Sequence, residues 1–123
     1  MLSDAQFSSV YIACGYTDLR CGIDGLAAVI RERFDITPFN EGEVFLFCGR
    51  RTDRIKALVW DGDGFLLMYK RLEDGKFRWP RSSDELRKLT PEQFGWLMKG
   101  FSIDPGISRI RPPERVISTA VTP

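Results

Sequence analysis

The sequence predicts an α+β domain: a largely antiparallel sheet of four or five strands, with a β-meander over residues 44–79 and two main helices packed on one face. Three observations carry this expectation. Aspartate–glycine turns separate short runs rich in β-branched and aromatic residues. Apolar residues recur at helical spacing from Ile23 onward. A complete helix-start signature stands at Thr90-Pro91-Glu92-Gln93.

Along the chain, Val10-Tyr11-Ile12-Ala13-Cys14 reads as a first strand ended by Gly15. Ile23, Leu26, Ala27, Ile30 and Phe34 then share one helical face and leave Asp24, Arg31 and Glu32 for the other. Pro38 marks the end of that helix or the loop beyond it. Val44-Phe45-Leu46-Phe47-Cys48 is a near-continuous apolar run, as expected of a central strand covered on both sides. After a turn over residues 49–53, strands are expected over 54–60, 65–72 and 76–79. Asp61-Gly62-Asp63-Gly64 and Asp74-Gly75 separate them, because such pairs accept the positive φ of tight hairpin loops.

In the last third, residues 82–85 suggest a short helical turn through a capping-box pattern. The helix from Pro91 carries the stripe Phe94, Leu97, Met98 and Phe101, with Leu89 and Phe94 placed to staple its start. Beyond it, Pro105, Pro112, Pro113 and Pro123 interrupt the chain. The expected division is a single domain over residues 1–103 and an extended or flexible tail over 104–123.

Composition excludes much chemistry. The 123 residues contain no histidine, which removes Ser-His-Asp and Cys-His catalysis and every zinc site built on imidazole. Cys14, Cys21 and Cys48 form an odd set without a Cys-x-x-Cys pair, and are expected as reduced, mostly buried thiols of a cytoplasmic protein. No apolar run reaches membrane-spanning length, and Met1-Leu2-Ser3-Asp4 lacks the features of a signal peptide. Asp61 and Asp63 fail as a calcium loop, since Phe65 holds the third ligand position and Leu72 the place of the bidentate acid. Asp18, Asp24 and Asp53 have no spacing that gathers them around magnesium, and no glycine-rich phosphate loop is present. No catalytic residue, metal or cofactor is expected.

Charge is uneven beneath a balanced total. The 18 basic and 17 acidic residues give +1. Residues 1–43 hold three basic and seven acidic groups, residues 44–81 nine and five, and residues 82–123 six and five.

If both hairpin loops are two residues long, Trp60 faces Phe65, Leu58 faces Leu67, Lys56 faces Tyr69, Arg54 faces Arg71, and Arg71 in turn faces Arg78. One face then collects Ile55, Ala57, Val59, Leu66, Met68, Leu72, Phe77 and Trp79, interrupted by Lys70, and receives the helices. The other carries Arg54, Lys56, Tyr69, Arg71, Lys76 and Arg78, with Trp60, Phe65 and Leu67 toward one turn. Like charges directly opposite cost roughly 0.2–1 kcal/mol a pair, so an anionic ligand explains the row. The candidate DNA-binding set is therefore Arg50, Arg51, Arg54, Lys56, Tyr69, Arg71, Lys76 and Arg78, with Tyr69 able to stack only on unpaired bases. A solvated face whose charges pair with Glu73 and Asp53 is the alternative. A partner-protein surface on Trp60, Phe65 and Leu67 is another.

Several of these segments carry a resemblance. Val10-Tyr11-Ile12-Ala13-Cys14-Gly15, Thr17-Asp18-Leu19-Arg20, Gly22-Ile23-Asp24-Gly25-Leu26, Phe47-Cys48-Gly49-Arg50-Arg51, Asp53-Arg54-Ile55-Lys56, Trp60-Asp61-Gly62-Asp63-Gly64-Phe65, Tyr69-Lys70-Arg71-Leu72-Glu73, Phe77-Arg78-Trp79-Pro80 and Leu89-Thr90-Pro91-Glu92-Gln93 occur in this order. Over residues 9–103 the chain resembles the TnpB-type accessory protein, the second open reading frame of the insertion-sequence-sixty-six transposons of bacteria. That resemblance implies a small non-catalytic protein needed for efficient transposition beside a separate, larger transposase. Its expected partners are transposon-end DNA and the cognate transposase or another element-encoded protein, with no membrane. One position departs: Cys21 stands where the family often has a basic residue.

Overall fold

The computed structural model describes residues 7–81 and 84–104. In chain order the elements are β1 (Ser9–Ala13), α1 (Ile23–Phe34), β2 (Glu43–Cys48), β3 (Arg54–Trp60), β4 (Phe65–Arg71), β5 (Leu86–Leu89) and α2 (Pro91–Met98). They build one five-stranded sheet in the order β4-β3-β2-β1-β5, so the expected α+β architecture is present. β1 runs parallel to β2, joined through α1, and the other three pairings are antiparallel. Apart from Asp104, the expected tail lies outside the described residues.

The β3–β4 hairpin has the expected register: Trp60 opposite Phe65, Leu58 opposite Leu67, Lys56 opposite Tyr69 and Arg54 opposite Arg71. Its loop closes where Asp61 N–H donates to the Gly64 carbonyl at 2.8 Å. Gly62 sits at φ +85° while Asp63 keeps a negative φ, so the reversal needs the left-handed region only at its first central residue. α1 ends at Asp35, whose left-handed backbone (φ 56°) turns the following Ile36 N–H back onto the Ile30 carbonyl at 3.3 Å. α2 starts with the expected reciprocal cap: Thr90 Oγ1 accepts from Gln93 N–H, and Gln93 Oε1 accepts from Thr90 N–H.

Three expectations need correction. The helices lie on opposite faces of the sheet. α1 buries Leu26, Ala27 and Ile30 against Phe45, Phe47 and Leu58. α2 buries Phe94, Leu97 and Met98 against Val10, Ile12, Val44, Leu46 and Ala57. The apolar run of β2 is the physical reason: its side chains alternate between faces and are buried on both, so each face needs a cover. Second, residues 76–79 form no strand. The chain leaves the ladder after Leu72, whose N–H reaches the Asp53 carbonyl, and returns with Phe77 N–H on the Thr52 carbonyl. Phe77 and Trp79 are buried in the α2-side core, and hydrogen bonds tie the segment to the ends of other elements instead of to β4: Trp79 Nε1 donates to the Ala13 carbonyl at 3.0 Å and Gly15 N–H to the Pro80 carbonyl at 2.8 Å. Third, no helical turn forms at Asp84 and Glu85, which lead into β5, and residues 82–83 lie outside the described ones.

Candidate functional site

Because β1 and β2 are parallel, the loops after their carboxyl ends leave the sheet on the same side. In open α/β sheets ligands bind in the crevice outside the carboxyl ends of the parallel strands, and the one parallel pair here offers such an end. Here the loop after β1 and the turn after β2 enclose, with β3 and β4, an open groove of about 940 Å³. Tyr16, Thr17, Asp18, Leu19 and Arg20 form one wall; Gly49, Arg50, Arg51, Arg54, Lys56, Leu67 and Tyr69 form the rest.

The two loops are held together by backbone and by one side chain. Thr17 N–H donates to the Cys48 carbonyl at 3.0 Å. The turn packs close against the first loop: a Cβ at Gly49 would stand 3.4 Å from both Leu19 Cγ and the Thr17 carbonyl oxygen. Arg81 clamps both loops, donating to the Gly15 carbonyl at 2.7 Å and to the Gly49 carbonyl, with its guanidinium 4.2 Å from the Tyr16 ring centre. Beneath it the Cys48 thiol is buried and pushed up to about 11 by desolvation.

The electrostatics are one-sided. Arg20, Arg50, Arg51, Arg54 and Lys56 line the groove against a single lining carboxylate, Asp18, which leaves the rest of the chain net negative. Hydrogen bonds from Arg20 hold Asp18 down to about 2. Asp53, just outside, accepts from Arg54 at 3.0 Å and Arg51 at 3.1 Å, and the Arg54 bond lowers its carboxyl below the ordinary range. Lys56 Nζ donates to the Cys21 carbonyl at 3.0 Å and stands 6.0 Å from the Tyr69 ring centre. Arg71 reaches Glu73 at 2.9 Å. These partners are the acids of the solvated-face alternative. Ion pairs of exposed side chains are worth only about 0–1 kcal/mol, so Arg20, Arg51 and Arg71 remain exchangeable toward another anion, whereas Arg54 is held in a partly buried pair with Asp53.

Of the sequence-predicted residues, Arg50, Arg51, Arg54, Lys56 and Tyr69 come together in the groove, and Arg71 stands beside Arg54 at the end of β4. Lys76 borders a neighbouring depression shared with Arg50 and Arg51. The row of three arginines is a pair. Arg78 is exposed between the buried Phe77 and Trp79 and does not line the groove. The anchors also divide. Trp60 and Phe65 pack edge to face at 5.0 Å and are joined by Phe39, 5.2 and 5.6 Å away, at the far end of the hairpin. Leu67 instead packs against the α1-side core and the groove. Sequence reasoning missed Tyr16, Arg20 and Phe39. The first two are carried by a strand–loop–helix–strand order, which is itself the signal of a parallel crossover. Asp18 and Asp53, considered for magnesium, are engaged by Arg20 and by Arg51 and Arg54, and no group of three candidate ligands gathers among the described residues. No helix among them is long and apolar enough to cross a membrane.

The sequence has known relatives. The sequence model of the family described as "IS66 Orf2 like protein" matches residues 8–106. The chain is 37% identical over 100 residues to the uncharacterized protein y4hO of Sinorhizobium fredii (strain NBRC 101917 / NGR234), covering 81% of this chain and 86% of that one. It is 33% identical over 100 residues to the uncharacterized protein y4jC of the same organism, covering 81% and 85%. No solved structure matches it significantly.

Proposed function

We propose, from the premise that the chain belongs to the IS66 Orf2-like family of transposition-associated proteins, that it is a non-catalytic accessory factor that holds DNA of the element ends in its basic groove. One observation carries the reading: five cations converge at the carboxyl end of a parallel strand pair in a chain that is otherwise net negative. Arg50, Arg51, Arg54 and Lys56 supply the phosphate contacts, with Arg20 and Arg71 at the rim. Such contacts give salt-sensitive, weakly sequence-selective binding.

The test is an equilibrium titration of labelled element-end DNA at several salt concentrations, with and without transposase. The variant R50E/R51E changes two exposed turn residues and leaves the core intact. It is expected to abolish binding at low salt while the urea midpoint stays at the parent value. Parent-like DNA affinity in this variant refutes the groove.

A second reading has its own observation. The Phe39–Trp60–Phe65 cluster stands half-exposed at the opposite end of the sheet and suits docking on the transposase or a third element-encoded protein. The near-zero net charge supports it, since dedicated DNA binders are usually more basic.

A further inference from the structure

We infer that the groove takes single-stranded DNA, with bases stacked on Tyr69 and Tyr16 and the backbone following Arg54, Lys56 and Arg50; this rests on the groove being the DNA site. A surface that tracks duplex phosphates needs only cations. This groove is concave, and its rim carries rings. Only five large apolar or aromatic side chains among the described residues are strongly exposed, and two of them, Tyr16 (56%) and Tyr69 (54%), line this one cavity.

Both rings are built in. Tyr16 is backed by Arg81, itself fixed by two backbone carbonyls, and Arg50 stands 5.2 Å from the same ring. Tyr69 projects from the centre of a paired strand opposite Lys56, whose ammonium is tied to the Cys21 carbonyl. Each ring therefore has a cation over it, two over Tyr16 and a more distant one over Tyr69, and stays more than half exposed; a base takes the open part of the ring while the adjoining phosphate meets the charge. A volume of about 940 Å³ admits a few nucleotides of one strand, whereas a double helix can touch only the rim.

The test is fluorescence anisotropy with a single-stranded oligonucleotide of the element end and with its duplex, across a salt series. The single strand is expected to bind at least tenfold tighter than the duplex. Three or four phosphate contacts give it a log–log salt slope of roughly −2 to −3. Y69A should lose about 5- to 100-fold on the single strand, the worth of one stacked base, without changing that slope, and Y69F should retain the affinity. Circular dichroism controls for folding. Equal or tighter duplex binding, or a Y69A variant that binds the single strand like the parent, overturns the stacking inference while R50E/R51E still tests the groove. Absence of binding to either DNA overturns both.

Discussion

Removing the Arg81 guanidinium should open the groove and destabilise the domain together. Arg81 donates to the carbonyls of Gly15 and Gly49 and packs on Tyr16 at 4.2 Å. A hydrogen bond from a charged donor contributes about 1.5–3 kcal/mol when well shielded, and a cation–π contact at an exposed site about 0.5–1. The side chain is only half-buried, so each bond belongs near or below the lower end. Two bonds and the ring contact then sum to about 2–4 kcal/mol for R81A. With a urea slope near 1.5 kcal/mol/M, within the usual range for a small domain, the midpoint should fall by about 1–3 M. R81K keeps the charge but presents no planar fork, so it can serve one carbonyl and should recover less than half of the loss. Urea unfolding followed by circular dichroism reads both variants. An R81A midpoint within about 0.3 M of the parent, or R81K equal to the parent, refutes the clamp.

Four further outcomes are expected. Arg78→Glu should leave DNA affinity within twofold, because Arg78 does not line the groove, whereas Arg71→Glu, beside Arg54, should lower it several-fold; the same anisotropy titration checks both. Asp18 should titrate near 2 by carboxyl-carbon NMR and move up toward 3.8 in R20Q. Since its folded-state value is depressed, the stabilisation it brings is complete above about 3.8 and fades as pH drops toward 2. Ellman's reagent should modify Cys21 in the native protein and reach Cys14 and Cys48 only in urea. The raised Cys48 value means that stability erodes as pH climbs past 9.0, where the unfolded chain ionises first. Trp60→Ala should weaken capture by purified transposase by about 2 kcal/mol while leaving single-strand affinity unchanged.

The features legible in the sequence were local. The β3–β4 register comes from a short loop and strict alternation, and both helices begin where spacing and capping residues place them. The illegible ones were long-range. β5 is the four residues Leu-Arg-Lys-Leu, with no alternation to announce it, and it exists because β1, more than 70 positions earlier, offers an open edge. Residues 76–79 alternate like a strand and do send Phe77 and Trp79 into the α2-side core, but their bonds go to the Thr52 and Ala13 carbonyls instead of to β4, which only the assembled sheet reveals. The opposite placement of the helices was latent in the unbroken apolar run of β2. Five groove residues could be read from one hairpin and its preceding turn, whereas Tyr16 and Arg20 sit on a loop whose position depends on the parallel crossover.

The hairpin also fixes a length. Six residue steps of β3 separate Arg54 from Trp60, about 20 Å of stiff, doubly supported strand between a cationic end and an aromatic end. Whatever grips one extremity is thus kept at a set distance from whatever grips the other, as on a ruler. Two residues added to each of β3 and β4 would stretch that gauge by about 7 Å and preserve its facing, while one added to each would turn every side chain beyond it to the wrong surface.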